Sequence, residues 1–275
     1  MPELPEAETI ARDLQGAVCH TTVVAVLVHR TDVLRECNAA EFVARVSGTR
    51  FERFDRRAKC VVATLSSGDR LVVTPRFTGA LLVERGTMRV DDTDYTAVQL
   101  RLGDGRTLRY RDVRRLGTVA LMSESRFQEW SAAIGPEPLD RGLTVGRFSA
   151  LVRASKRAIK TILMDQRRLA GIGNIYANES LWRAGIRPTR PGSRVKAAEA
   201  AVLLRALRAV LRESIELRGT SFRDYRDAFG GRGGFVEHLA VYGRGGEPCS
   251  RCGTALTSHH KLDGRATVYC PRCQP

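Results

Sequence analysis

The sequence predicts an α+β multidomain fold. A short N-terminal helix precedes a β-sandwich or barrel, a helical domain follows, and a cysteine-stapled hairpin closes the chain. Three observations predict this. Residues 20–122 hold short apolar runs separated by turn residues at hairpin spacing. Beyond residue 147 the apolar positions recur with helical period. The last 27 residues contain two Cys-x-x-Cys pairs, Cys249/Cys252 and Cys270/Cys273.

The first element is a helix over residues 4–16, with Leu4, Ala7, Ile10, Ala11 and Leu14 on one face. Pro2, Pro5 and the neighbouring carboxylates suit a helix start, where proline fits and negative charge meets the positive end of the dipole. Strands are expected at 23–28, at 60–65 and 71–73 around the turn Ser66-Ser67-Gly68-Asp69, and at 98–102 and 107–111 around Gly103-Asp104-Gly105-Arg106. Gly135-Pro136-Glu137-Pro138 breaks both periodicities and reads as a linker. The expected division is a β domain at 1–134, a linker at 135–147, a helical domain at 148–242 and a zinc finger at 243–275. Val195 to Leu217 is the longest helical stretch, and Arg218 to Gly234 reads as a mobile glycine-rich loop.

A chain of 275 residues with 43% hydrophobic content has room for two proper cores. No apolar run approaches the ~18 residues of a membrane-spanning helix. The start Met1-Pro2-Glu3-Leu4-Pro5-Glu6 lacks a charged-then-apolar leader, so a cytoplasmic protein is expected. The net charge of +15 points to a polyanionic partner. Only Lys59, Lys156, Lys160, Lys196 and Lys261 are lysines; the remaining positive charge is arginine, which forks onto phosphate. An arginine-rich proteome gives the same bias, and composition alone does not separate the two causes.

In a reducing compartment the tail cysteines suit a tetrahedral four-thiolate Zn2+ site rather than disulfides. Such a site is closed and therefore structural, and it staples a hairpin too small to fold alone. Cys19, Cys37 and Cys60 read as buried thiols. His259 and His260 lie nearby, but four thiolates already complete the shell. Lys261 and Arg265 fall between the knuckles, as solvated charges or, for Arg265, as a probe into DNA.

Two further segments carry chemistry. Lys156 to Gln166 forms a basic amphipathic helix with Ile159, Ile162 and Leu163 inward, and Gly171-Ile172-Gly173-Asn174 turns into a second helix. A helix start at Asn174 aims free N–H groups outward, which suits a phosphate oxygen, and its side chain suits a cap. An ordinary packed helical hairpin is the alternative. At the other end, removal of Met1 frees the secondary amine of Pro2. An α-amino group titrates near ~8, against ~10.4 for lysine, so part of it is unprotonated and able to form a Schiff base at neutral pH. Glu3 and Glu6 lie within one turn and are placed to move protons; plain helix capping is the alternative.

Pro2-Glu3-Leu4-Pro5-Glu6, Gly171-Ile172-Gly173-Asn174-Ile175-Tyr176-Ala177, Val241-Tyr242-Gly243-Arg244 and the terminal knuckles stand in one order. In this the chain resembles formamidopyrimidine-DNA glycosylases and their endonuclease VIII relatives over nearly its whole length. Leu4 and the 218–234 tract resemble the former branch more closely. The resemblance implies a β-sandwich, a helix–two-turn–helix domain and a zinc finger, with DNA in the cleft between domains. It implies a monomer that removes oxidised bases such as 8-oxoguanine from double-stranded DNA and cuts at abasic sites. Residue by residue, it makes Pro2 the nucleophile toward the sugar C1′, Glu3 the proton shuttle and Glu6 a supporting carboxylate. Lys59 becomes a strand lysine near lesion and phosphate. Asn174 and Lys160 become DNA-binding groups, and Arg265 the finger arginine that grips phosphates.

The family fills the hole left by an extruded base with a methionine on one loop and an arginine and phenylalanine on another. The matching positions here are Phe77, Arg114 and Leu116, with Arg115 beside them. Leucine cannot stack as an aromatic ring does, and Thr74 and Arg76 also depart from the family's histidine and glycine. The glycine-rich tract is either a surface connection or a cover over the extruded base. Two rival readings remain: an endonuclease VIII-like enzyme for oxidised pyrimidines, and a non-catalytic zinc protein that binds damage.

Overall fold

The computed structural model describes residues 2–85 and 95–275, which divide into two compact units. The first comprises Met1–Ala132 with Leu217–Val236, and the second Ala133–Glu216 with Glu237–Pro275.

In the first unit, α1 (Leu4–Val18) starts at a capping box, with Glu3 at the N-cap and Glu6 three residues on. Leu4, Ala7, Ile10, Leu14 and Val18 are wholly buried along one face. That face packs on β3 (Phe51–Arg57) and β4 (Cys60–Leu65). The strands form two sheets. One has the order β1 (Val23–Val28), β7 (Thr96–Leu102), β8 (Arg106–Asp112), β6 (Gly79–Arg85). The other runs β2 (Leu34–Arg35), β9 (Thr118–Met122), β5 (Arg70–Thr74), β4, β3. All pairings are antiparallel except β2 with β9. Phe54, Val61, Ala63, Leu71 and Val73 from the second sheet share one core with Leu81, Val98, Leu100, Leu108 and Tyr110 from the first, as a sandwich requires. Cys60, Val62, Val72, Ala120 and Met122 point to the opposite face of their sheet. There they pack against Phe127 and Trp130 of α3 (Glu124–Ala132). Burial on both faces explains why β4 reads as a continuous apolar run. The α2 helix (Ala39–Val46) closes the core with Phe42 and Val46.

The second unit holds α4 (Val145–Arg153), α5 (Ile159–Met164), α6 (Asn174–Ala184) and α7 (Ala197–Glu216), with the hairpin β10 (Thr257–His259) and β11 (Thr267–Tyr269). The hairpin shares a core with the helices: Val241, Leu256, Val268, Cys249 and Cys270 pack on Trp182 of α6.

The expected boundaries differ from this division in two places. The 135–147 segment belongs to the helical unit. Arg208 donates to the carbonyls of Pro138, Asp140 and Leu143, and Ala170 N–H bonds Pro136 O. A proline-rich stretch is thus held by one arginine rather than left as a spacer. Leu217–Val236, assigned to the helical domain from sequence, lies with the sandwich unit. Tyr225 and Ala228 enter the sandwich core, and Val83 N–H bonds Ala228 O. Of the three scattered thiols expected to be buried, only Cys60 is; Cys19 and Cys37 are partly exposed. Among the described residues no helix is long and apolar enough to cross a membrane.

Candidate functional site

The N-terminal turn of α1 is buried, tightly bonded and rich in carboxylate. Glu6 is 1% exposed and divides its two oxygens. Oε2 accepts the Glu3 N–H at 2.8 Å, and Oε1 accepts the Thr220 N–H at 2.8 Å. The glycine-rich tract is therefore tied to the helix start. At Gly219 (φ 87°) a Cβ would press within 3.0 Å of Glu6, so glycine is needed both for the conformation and for the approach. Tyr225 OH reaches Glu6 O at 3.5 Å. Burial, with the Glu6 charge, pushes that phenol's pKa far up and keeps it neutral. Arg218 bridges Asp13 and Asp227 at 2.6 Å each, and Asp227 gathers the N–H groups of Phe229 and Gly231. The tract expected to be mobile is a bonded loop on the sandwich unit. Glu3 is 3% exposed, and Pro2 is buried with its nitrogen still in the peptide bond to Met1. Lys59 stands, partly exposed, in the two-residue turn between β3 and β4 rather than on a strand, after Ala58 at φ 53°.

Two loops on the same unit present the void-filling candidates. Phe77 (43% exposed) follows β5, and Arg114, Arg115 and Leu116 (40% exposed) follow β8. The Arg114 guanidinium lies 5.0 Å from the Phe77 ring centroid, a cation–π contact between the loops.

In the second unit, Gly173 is the N-cap of α6 and Asn174 its first residue, so Asn174 does not cap the helix with its side chain. Its amide donates instead to Ala266 O at 3.0 Å, in the loop between β10 and β11. Asn178, one turn on, donates to Asn174 O and accepts the Val268 N–H. Lys160 is fully buried. Its ammonium donates to Ala266 O and Thr267 Oγ1 and lies 3.6 Å from Asp263. Lys160, expected as a DNA-binding group, is an internal brace beneath the hairpin loop. The brace holds the loop that carries exposed Arg265.

The sulfurs of Cys249, Cys252, Cys270 and Cys273 all lie within 4.8 Å of one another. The Cys252–Cys270 and Cys249–Cys273 separations are 3.5 and 4.0 Å. A tetrahedron of ~2.3 Å Zn–S bonds has edges of about 3.8 Å, whereas a disulfide is ~2.05 Å. The cluster fits a structural zinc ion and leaves no ligand position open.

Sequence reasoning missed Asp112, Asn178, Glu179, Thr220 and Tyr225. Asn178 alone had a local signal, lying four residues after Asn174 on the same helix face. Glu179, Thr220 and Tyr225 act on partners remote in sequence, and Asp112 joins its near neighbours to Thr78, 34 residues earlier.

A sandwich with a bonded acidic helix start, a glycine-turn helical unit and a four-thiolate hairpin together define a protein of the helix–two-turn–helix, zinc-finger class. Comparison with known proteins makes this specific. Residues 1–119 match the formamidopyrimidine-DNA glycosylase N-terminal domain, 134–226 the formamidopyrimidine-DNA glycosylase H2TH domain, and 246–275 a zinc finger found in FPG and IleRS. The chain is 41% identical over 274 residues to the formamidopyrimidine-DNA glycosylase of Chloroflexus aggregans, covering 100% of this chain and 98% of that one. It is 40% identical over 276 residues to that of Desulfitobacterium hafniense, with both chains fully covered. Among solved structures, the MutM (FPG) protein of Thermus thermophilus superposes with TM-score 0.87 at 37% identity, over 99% of this chain and 98% of that one. A Lactococcus lactis FPG mutant bound to Fapy-dG-containing DNA superposes with TM-score 0.91 at 29% identity, over 99% of each chain. The chain belongs to the formamidopyrimidine-DNA glycosylase family.

Proposed function

We propose that this chain is a bifunctional DNA glycosylase and AP lyase for oxidised bases in duplex DNA. The observation that carries the reading is the N-terminal turn, where Pro2 directly precedes a buried Glu3 at a helix cap fixed by Glu6. Removal of Met1 frees the Pro2 nitrogen. Its lone pair attacks C1′ of the damaged nucleotide; the C1′–base bond breaks and the base leaves with the electron pair and a proton. Glu3 protonates the ring oxygen as the C1′–O4′ bond opens, leaving an iminium. The iminium acidifies the C2′ proton, and loss of that proton expels the 3′ phosphate and cuts the strand. Water then hydrolyses the conjugated iminium, releasing the sugar remnant as an aldehyde and restoring the amine. Zinc takes no part in these steps; it holds the hairpin that presents Arg265.

Phosphate contacts by Arg265, by the N-terminal turn of α6 at Asn174, and by Arg115 supply sequence-independent affinity. Phe77, Arg114 and Leu116 enter the stack. Lys59 serves near the reacting sugar and flanking phosphate. The protein acts as a cytoplasmic monomer on nucleoid DNA. Lactococcus lactis FPG has been crystallised with Fapy-dG, with an abasic site and with an oxidised pyrimidine in DNA, so the base must be tested rather than assumed. Excision measured on duplexes carrying 8-oxoguanine, a formamidopyrimidine or thymine glycol tests the reading. Release of the purine lesions is expected; preference for thymine glycol favours the endonuclease VIII-like alternative, and release of none rejects the enzyme.

A further inference from the structure

Resting on the glycosylase reading, we infer that Asp112 is the positioning residue that sets both base-displacing loops with one buried carboxylate. The side chains those loops present sit in conformations that need enforcement. Phe77 has φ 40° and Arg115 φ 51°, a region that L-residues hold only where surroundings over-determine it. Exposed Phe77 and Leu116 have little protein around them to do so.

Asp112, at the end of β8, is 0% exposed. Its Oδ1 accepts the Thr78 hydroxyl at 2.6 Å and the Arg114 N–H at 3.3 Å. Its Oδ2 accepts the Gly117 N–H at 2.8 Å and the Tyr110 hydroxyl at 3.1 Å. Thr78 Oγ1 in turn accepts the Arg114 N–H at 3.0 Å. One carboxylate thus bonds the residue after Phe77, the residue that stacks on Phe77 and the residue after Leu116. The close approach is built in. A Cβ at Gly79 would lie 2.8 Å from the Tyr110 hydroxyl, and one at Gly117 would overlap it. Four donors converge on the two oxygens of one side chain. The Phe77–Arg114 stack is then delivered as one preassembled body. A wedge fills the gap beside an extruded base only if it does not yield.

Two substrates separate positioning from mere support of the fold. A duplex with a damaged base requires the base to be driven out, whereas the same duplex with a pre-formed abasic site has none to expel. Asp112→Asn turns an NH2 toward donors, and the milder Thr78→Val removes one donor at nearly constant shape. Both are expected to slow base excision by about tenfold or more, the weight of a buried charge-assisted hydrogen bond. Cleavage at the abasic site is expected to fall by less than about threefold. Thr78→Ser, which restores the hydroxyl, is expected to recover excision. Equal losses on both substrates, unimpaired excision by Thr78→Val, or no recovery with Thr78→Ser overturns the assignment. A wild-type protein inert on both substrates overturns the glycosylase reading and this assignment with it.

Discussion

Glu179 lies in the middle of α6, wholly buried, and gathers three main-chain donors. Oε1 accepts Val241 N–H at 2.9 Å and Tyr242 N–H at 2.8 Å; Oε2 accepts Ala240 N–H at 2.9 Å. Burial raises its pKa, and the three N–H bonds oppose that rise. The carboxylate pins the strand of chain that leads into the zinc hairpin. Glu179→Gln keeps the shape but faces an NH2 toward a buried donor, so a loss of about 1–3 kcal/mol is expected in urea denaturation. Unchanged stability would contradict this role. At this scale the four cysteines were legible in the sequence because their spacing is local, and Pro2 and Glu3 stood out as candidates for the same reason. It did not show Glu179, Asn178 or Asp112 in their roles. Glu179 meets Val241 at 62 residues' separation and Asn178 meets Val268 at 90. Lys160 was visible as a charge but not as a brace, since its partners at Ala266 and Thr267 follow over 100 residues later.

At the scale of elements, the hairpin is the part with least core of its own. Its buried residues include Leu256 and Val268, which share a small cluster with Trp182 and the cysteines. Arg251 adds a cation–π contact 3.9 Å above the Trp182 ring. Removing zinc takes away the ion that would join the four cysteines and, with it, the staple that closes the hairpin. Chelation is expected to shift Trp182 emission to longer wavelength and to abolish duplex binding while strand-sheet circular dichroism of the sandwich persists. Binding that survives complete zinc removal would contradict the structural role. The strands and the hairpin were legible because alternation and turn residues are local signals. The glycine-rich tract was not: Gly219 and Gly234 read as flexibility, whereas Thr220, Tyr225 and Arg218 find their partners on α1, more than 200 residues earlier.

For the whole molecule, a surplus of 15 positive charges supplies non-specific attraction to DNA but no chemistry. In the proposed reaction the chemistry rests on one nitrogen, that of Pro2 once Met1 is gone, beside the carboxyl group of Glu3. An unperturbed α-amino group titrates near ~8, against ~10.4 for an unperturbed lysine side chain. The family assignment and the capping box of α1 place that pair at the start of the sandwich unit. The most direct measurement is borohydride reduction of the wild-type protein on an abasic duplex, followed by proteolysis and mass spectrometry of the adduct. The expected result is a sugar remnant on the nitrogen of Pro2 in chains lacking Met1. An adduct carried by Lys59 or any other lysine, or none from fully processed protein, would contradict the account.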